Sequence, residues 1–196
     1  LAQLRSLRLA GPGRGARLLA ALLGRPFVHE LPWYVIIGAP GAGKTTALLN
    51  SGLHFPLSNG NGHEAVRGVG GTRNCDWWFA SEAVLIDTAG RYTTQDSDRD
   101  ADAAAWRGFL DLLRRHRPRR PINGVLLAVS ASDLLRATPE RLATQAGDLR
   151  RRLDELRERL AIDVPVYMLV TKTDLLPGFG EFFADLDDGA RSQVWG

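Results

Sequence analysis

Gly38-Ala39-Pro40-Gly41-Ala42-Gly43-Lys44-Thr45-Thr46, GAPGAGKTT, follows the apolar run 33–37 and precedes Ala47-Leu48-Leu49. The order is strand, glycine-rich loop, helix start, the context in which this pattern cradles phosphate groups. Gly38 and Gly43 allow a tight turn and a close approach of backbone to ligand. Loop amides and the positive end of the following helix attract anions. Lys44 is placed to reach terminal phosphates, and the Thr45 hydroxyl to ligate Mg²⁺. All nine residues are therefore expected to line a phosphate site.

Two further stretches fit the same chemistry. Asp87-Thr88-Ala89-Gly90 comes directly after the apolar run 84–86. An acid at a strand end can hold Mg²⁺ through water, and a glycine amide there can sense a terminal phosphate. Thr171-Lys172-Thr173-Asp174 closes the run 164–170. Asp174 can accept hydrogen bonds from a guanine ring NH and amine, while the Lys172 stem packs along the base. Thr72, after the glycine-rich loop 52–71, is a candidate second hydroxyl for Mg²⁺. The chain has only two lysines, Lys44 and Lys172, and both fall inside these motifs. A compact ammonium and a planar guanidinium are not interchangeable at a tight site.

Strand and helix signals set the organisation. Strands are expected over 31–37, 74–79, 83–86, 122–129 and 164–170. Only Ala80-Ser81-Glu82 separates the second from the third. A parallel crossover needs a dozen or more residues, so these two form an antiparallel hairpin. Helices are expected from residue 46, over 102–115, from Thr138-Pro139-Glu140 to about 160, and over 178–187. The apolar spacing of the long helix, Leu142 to Leu160, fits packing on a sheet. Asp96, Asp98, Asp100 and Asp102 resemble the start of a calcium loop. Ala101 and Arg107 replace its required glycine and glutamate, so these acids read as helix-dipole partners.

Composition bounds the rest. The chain has 196 residues, 44% hydrophobic and 24% charged, with net charge +3, the profile of an ordinary globular domain. It starts at Leu1 without a methionine and reads as a segment of a longer protein. Cys75 is the only cysteine, which excludes an intrachain disulfide and gives no hint of an oxidising compartment. Residues 1–30 read as a basic helical arm, with arginines at 5, 8, 14, 17 and 25; 31–196 read as the domain proper. The basic cluster Arg114 to Arg120 lacks the aromatic interleaving of a nucleic-acid surface. No nucleic-acid partner is expected, and the cluster reads as a solvated or partner-facing loop.

The motifs together resemble Ras-like GTPases of the P-loop class. That resemblance implies an α/β P-loop NTPase: a mostly parallel sheet, one antiparallel strand, helices on both faces, and ligand at the strands' carboxyl edge. Signal-recognition-particle GTPases share the DTAGR and TKxD wording, but three residues before Ala83 leave no room for their crossover helix. A wider resemblance, covering 25–196, is to the IcmF/TssM family. It rests on LPWYVIIGAPGAGKTT, NSGLHFPL, GVGGTRNCDWWF, AVLIDTAGRYTTQD, RPRRPINGVLLAVS, RRRLDELRERL, VPVYMLVTKTDLLPGFGEFF and QVWG. It implies an NTPase domain on the cytoplasmic face of the bacterial inner membrane, in the type VI secretion system. The implied partners are the membrane-core subunits TssL and TssJ and the baseplate, and the parent protein would be membrane-embedded elsewhere. Mg²⁺ with GTP or ATP is then the expected ligand. Lys44, Thr72, Gly90 and Arg91 are the expected catalytic residues; Thr45, Thr72 and Asp87 the metal ligands; Thr171, Lys172 and Asp174 the base site. Arg91 stands where Ras-like enzymes commonly carry a water-orienting glutamine. Either hydrolysis is slow, or Gln95 or a partner contributes, or Arg91 stabilises transition-state charge in cis. The alternative function is a nucleotide-binding interaction module with little or no turnover.

Overall fold

The structure is a computed structural model and describes residues 31–55, 75–94, 99–191 and 193. The expected basic arm 1–30, Thr72 and Gln95 lie outside the described residues.

Five strands form one mixed sheet: β1 Trp33–Ile37, β2 Cys75–Phe79, β3 Val84–Thr88, β4 Gly124–Ser130 and β5 Val166–Thr171. Their order is β2-β3-β1-β4-β5. The expected hairpin is present: β2 runs antiparallel to β3, with Cys75 opposite Thr88 and Phe79 opposite Val84. The other three pairings are parallel. An antiparallel strand directly before Asp87 is incompatible with a crossover helix there, which removes the signal-recognition arrangement.

The helices are α1 Lys44–Leu49, α2 Arg91–Thr94, α3 Arg99–His116, α4 Ala131–Arg136, α5 Pro139–Leu160, α6 Phe179–Phe182 and α7 Asp188–Arg191. A 3-10 turn spans Thr173–Leu175. Strand side chains alternate between two faces. Trp33, Val35, Ile37, Val84, Ile86, Val125 and Val129 pack with Trp106, Leu110 and Leu113 of α3 and Leu149, Leu156 and Leu160 of α5. Ile36, Trp78 and Leu85 pack with Leu48 of α1 and with Phe55. The long helix therefore lies on the sheet and on α3, as its spacing implied. It starts at the Thr138 cap, whose hydroxyl accepts from the Arg141 amide, and stops at Ala161, at φ 52°.

Several elements differ from the sequence reading. Helix α1 begins two residues early, because Gly43 in the left-handed region caps it. Helix α3 begins at residue 99 rather than 102. Helix α4 was not expected; Ser130 caps it by accepting from the Asp133 amide. The expected helix 178–187 is one turn only, with Phe182 mostly exposed. The basic cluster is also not wholly solvated. Arg117 is buried, its guanidinium 4.4 Å over the Trp33 ring, a cation–π contact at the floor of the core. Arg114 donates to the Arg159 carbonyl at 2.8 Å.

β5 is the edge of the described sheet and leaves Val166, Tyr167, Met168 and Val170 exposed. No helix among the described residues is long and apolar enough to cross a membrane.

Trp106 is wholly buried between Tyr92, 6.1 Å away, and Phe109, 5.7 Å away. Trp106→Ala is expected to lower the unfolding free energy by about 3–5 kcal/mol, measured by urea titration. A loss below about 1 kcal/mol would mean the ring is not part of the core.

Candidate functional site

The carboxyl ends of β1, β3, β4 and β5 lie on one edge of the sheet. Their register places Ile36 beside Asp87, Ile37 beside Leu127 and Ser130 beside Thr171. The three sequence motifs therefore meet there. The loop leaving β1 depends on its glycines. A Cβ on Gly38 would fall 2.5 Å from the Ala128 carbonyl oxygen, so only glycine lets β1 end against β4. Gly41 and Gly43 take φ of 74° and 77°, where side chains are strained. The loop closes with the Ala42 amide donating to the Ala39 carbonyl at 3.2 Å.

Lys44 opens α1 and is almost fully buried. Its ammonium donates to the Gly38 and Ala39 carbonyls at 2.9 and 3.0 Å. Burial pulls the ammonium below the ordinary lysine range, and Asp87 opposes that shift. The charge thus sits inside the loop, held by backbone oxygens and a nearby carboxylate. Next to it, the Thr45 hydroxyl donates to Asp87 Oδ2 at 2.5 Å. Asp87 is wholly buried, and Thr88 donates to the Ile36 carbonyl at 2.6 Å. Thr45 and Asp87 are the only two of the three expected metal ligands within the described residues, and they converge. Among those residues no group of three His, Cys, Asp or Glu side chains could hold a metal alone. Two hard oxygens are the donor set that Mg²⁺ accepts when phosphate and water complete its shell. A self-sufficient cage, as for structural zinc, is absent from the described residues.

Gly90 sits directly on the loop: a Cβ there would fall 2.4 Å from the Pro40 nitrogen. Arg91 follows, and its side chain meets α3. Its Nε lies 3.2 Å from Asp102 Oδ1 on α3, and its guanidinium stands 5.5 Å from the centre of the Tyr92 ring. Burial pushes the Tyr92 phenol up to about 12. Thr93 turns the other way and donates to the Gly38 carbonyl at 3.2 Å. Lys44 and Thr93 thus share one acceptor.

Thr171 is tied into the loop rather than pointed outward. Its hydroxyl lies 2.7 Å from the Ala42 carbonyl and 3.3 Å from that of Val129. Lys172 takes a left-handed backbone, φ 56°, and its ammonium lies 3.9 Å from Asp133 on α4. Asp174 is exposed at the start of the 3-10 turn.

Thr93, Asp102 and Asp133 were not anticipated as site residues. Asp102 lies in the first turn of α3, as the helix-dipole reading has it, and it is also buried against Arg91. A buried acid is costly unless a cation and hydrogen bonds compensate it, and Arg91 supplies that cation. Only the position of Asp102 on the same helical face as Trp106 and Phe109 could have signalled this.

The sequence profile of the IcmF-related N-terminal domain family matches residues 99–196, half of the chain. The chain is also 58% identical over 184 residues to the "Type VI secretion system component TssM1" of Pseudomonas aeruginosa, over 92% of its own length. It spans 17% of that relative's length.

Thr171→Val removes the tie between β5 and the loop. The expected cost is about 1 kcal/mol of stability for one hydrogen bond lost, read by urea unfolding. Gly90→Ala cannot keep its place on Pro40. It should displace the Gly90 segment, seen as faster amide exchange over 89–94; an unchanged exchange pattern would show that this contact is not tight.

Proposed function

The chain belongs to the IcmF/TssM family, and from that premise we propose that it binds a nucleoside triphosphate with Mg²⁺ at the carboxyl edge of its sheet. The fold reading that goes with this is a P-loop NTPase of the Ras-like kind. The observation that carries it is the 2.5 Å contact of Thr45 with Asp87, made at the first turn of α1 beside a buried Lys44. These two oxygens come from a helix start and a strand end, and phosphate sites of this class use that pairing to bring a metal to the β- and γ-phosphates. Thr45 and Asp87 would hold Mg²⁺, which when bound supplies charge to offset the phosphates. Lys44 would exchange its hold on the Gly38 and Ala39 carbonyls for phosphate oxygens. The amides from Gly41 to Thr46 would cradle the phosphates at the helix start. Thr72 stays a candidate second hydroxyl.

At the base, Asp174 faces solvent and is available to a guanine ring NH and amine, with Lys172 alongside. Thr171 supports the site by fixing the loop. ATP stays as the alternative base, because the residue before Lys172 is threonine. Hydrolysis, as a switch that orders and releases the Gly90 segment, is the proposed activity. A nucleotide-binding module with little turnover is the second reading. The Arg91–Asp102 contact favours it, since a guanidinium held on α3 is not placed on phosphate.

The name of the Pseudomonas relative supports a place in a type VI secretion complex. On this proposal the domain lies on the cytoplasmic face of the bacterial inner membrane, with TssL, TssJ and the baseplate as partners.

Lys44→Ala is expected to abolish Mg²⁺-dependent binding of GTP and ATP in titration calorimetry. Unchanged affinity would overturn the site. Asp174→Ala should weaken GTP by roughly 10- to 100-fold, the loss of hydrogen bonds to a charged group worth about 1.5–3 kcal/mol, and leave ATP unchanged. Equal effects on both nucleotides would remove the guanine assignment.

A further inference from the structure

We propose that the Arg91–Asp102 ion pair couples the nucleotide site to α3, which makes Arg91 a positioning residue rather than a catalytic one. The proposal rests on the nucleotide reading above. It starts from α2, which has four residues. One helical turn has no stability of its own, so α2 takes its position from its side chains. These go to two different places. Thr93 donates to the Gly38 carbonyl, which Lys44 also holds. Arg91 meets Asp102 at 3.2 Å, and Tyr92 packs against Trp106 at 6.1 Å, both on α3. The short turn is thus fastened to the loop at one end and to α3 at the other.

Gly90, immediately before it, touches Pro40. A nucleotide-dependent shift of Gly90 or of the Gly38 carbonyl would therefore move α2, or strain its contacts. The two contacts to α3 transmit differently. The Tyr92–Trp106 contact is apolar packing and tolerates sliding. The Arg91–Asp102 contact is an ion pair, with the acid end buried. Drawing Arg91 onto a phosphate would take a cation from a buried carboxylate, which opposes a role as an arginine finger in cis. Keeping the pair and moving it as a unit carries no such penalty. From α3 the path continues: Arg159 of α5 binds Asp111 at 2.8 Å, and Arg114 donates to the Arg159 carbonyl.

The test uses amide exchange by mass spectrometry on the 196-residue chain. The probes are Mg²⁺ with the β,γ-imido analogues of GTP and ATP. In the wild type, triphosphate is expected to slow exchange over 99–106. Asp102→Asn and Arg91→Ala should each lose most of that response, while nucleotide affinity by calorimetry stays within about threefold of wild type, well below one binding contact. Asp102→Glu, which restores the charge, should recover part of it. Asp100→Asn, another first-turn acid but exposed, should respond like the wild type and so exclude a dipole effect. The proposal is overturned if Asp102→Asn keeps the full response. It is also overturned if the response and nucleotide affinity fall together, which would put Asp102 in the binding site. A loss of single-turnover hydrolysis in Arg91→Ala with the α3 response intact would return Arg91 to catalysis. A wild type that binds nucleotide without any α3 response overturns the coupling alone. A wild type that binds neither nucleotide overturns the nucleotide reading and the coupling with it.

Discussion

The carbonyl of Gly38 is the point from which the rest of the site is hung. The residue can end β1 there because it has no Cβ to strike the Ala128 carbonyl. Its oxygen then receives Lys44 from α1 and Thr93 from α2. One backbone acceptor thus joins the start of a helix, the end of the central strand and the segment after Asp87. Any side chain at residue 38 would push β1 from β4 and separate those three parts together.

Hydroxyl side chains do most of the remaining fastening. Thr45 reaches Asp87, Thr88 reaches the Ile36 carbonyl, and Thr171 reaches the Ala42 carbonyl. The two bonds to backbone carbonyls add only about 1 kcal/mol each net, and the one to the Asp87 carboxyl about 1.5–3 kcal/mol. Their collective effect is geometric, since they pin one loop to β3, to β1 and to β5 at once. A binding site on loops gains precision only when its supports are rigid. Two of the supports, β1 and β3, are largely buried strands, whereas β5 is the exposed edge.

Charge is handled differently on the two sides of the site. Near the loop, Lys44 is buried with Asp87 close by, so an arriving anion would meet a cation already desolvated. At the end of β5, Lys172 and Asp133 stand 3.9 Å apart and are both accessible, a pairing worth little in water. The loop end is thus preorganised and the Lys172 end adaptable. That contrast fits a reading in which phosphate contacts hold the ligand while base choice depends on Asp174.

The sequence alone determined the succession of the five strands, the hairpin and the place of the glycine-rich loop. The reasons are local: glycine spacing, an apolar run before and after it, and three residues too few for a crossover. It also placed Lys44, Thr45, Asp87 and Gly90 together, since each closes a strand or opens a helix on the same edge. What it could not decide was where side chains turn once packed. Arg91 looked free to face phosphate, and Asp102 looked like a dipole acid. Only tertiary structure put one against the other, because the α2 turn and the α3 face meet through packing of Tyr92 on Trp106. For Thr171, contact with a loop 129 residues away sets its hydroxyl on the Ala42 carbonyl. Arg117 was read as solvated, and the Trp33 ring beneath it decided otherwise. Local pattern specifies backbone conformation; partners distant in sequence specify which polar groups are already committed.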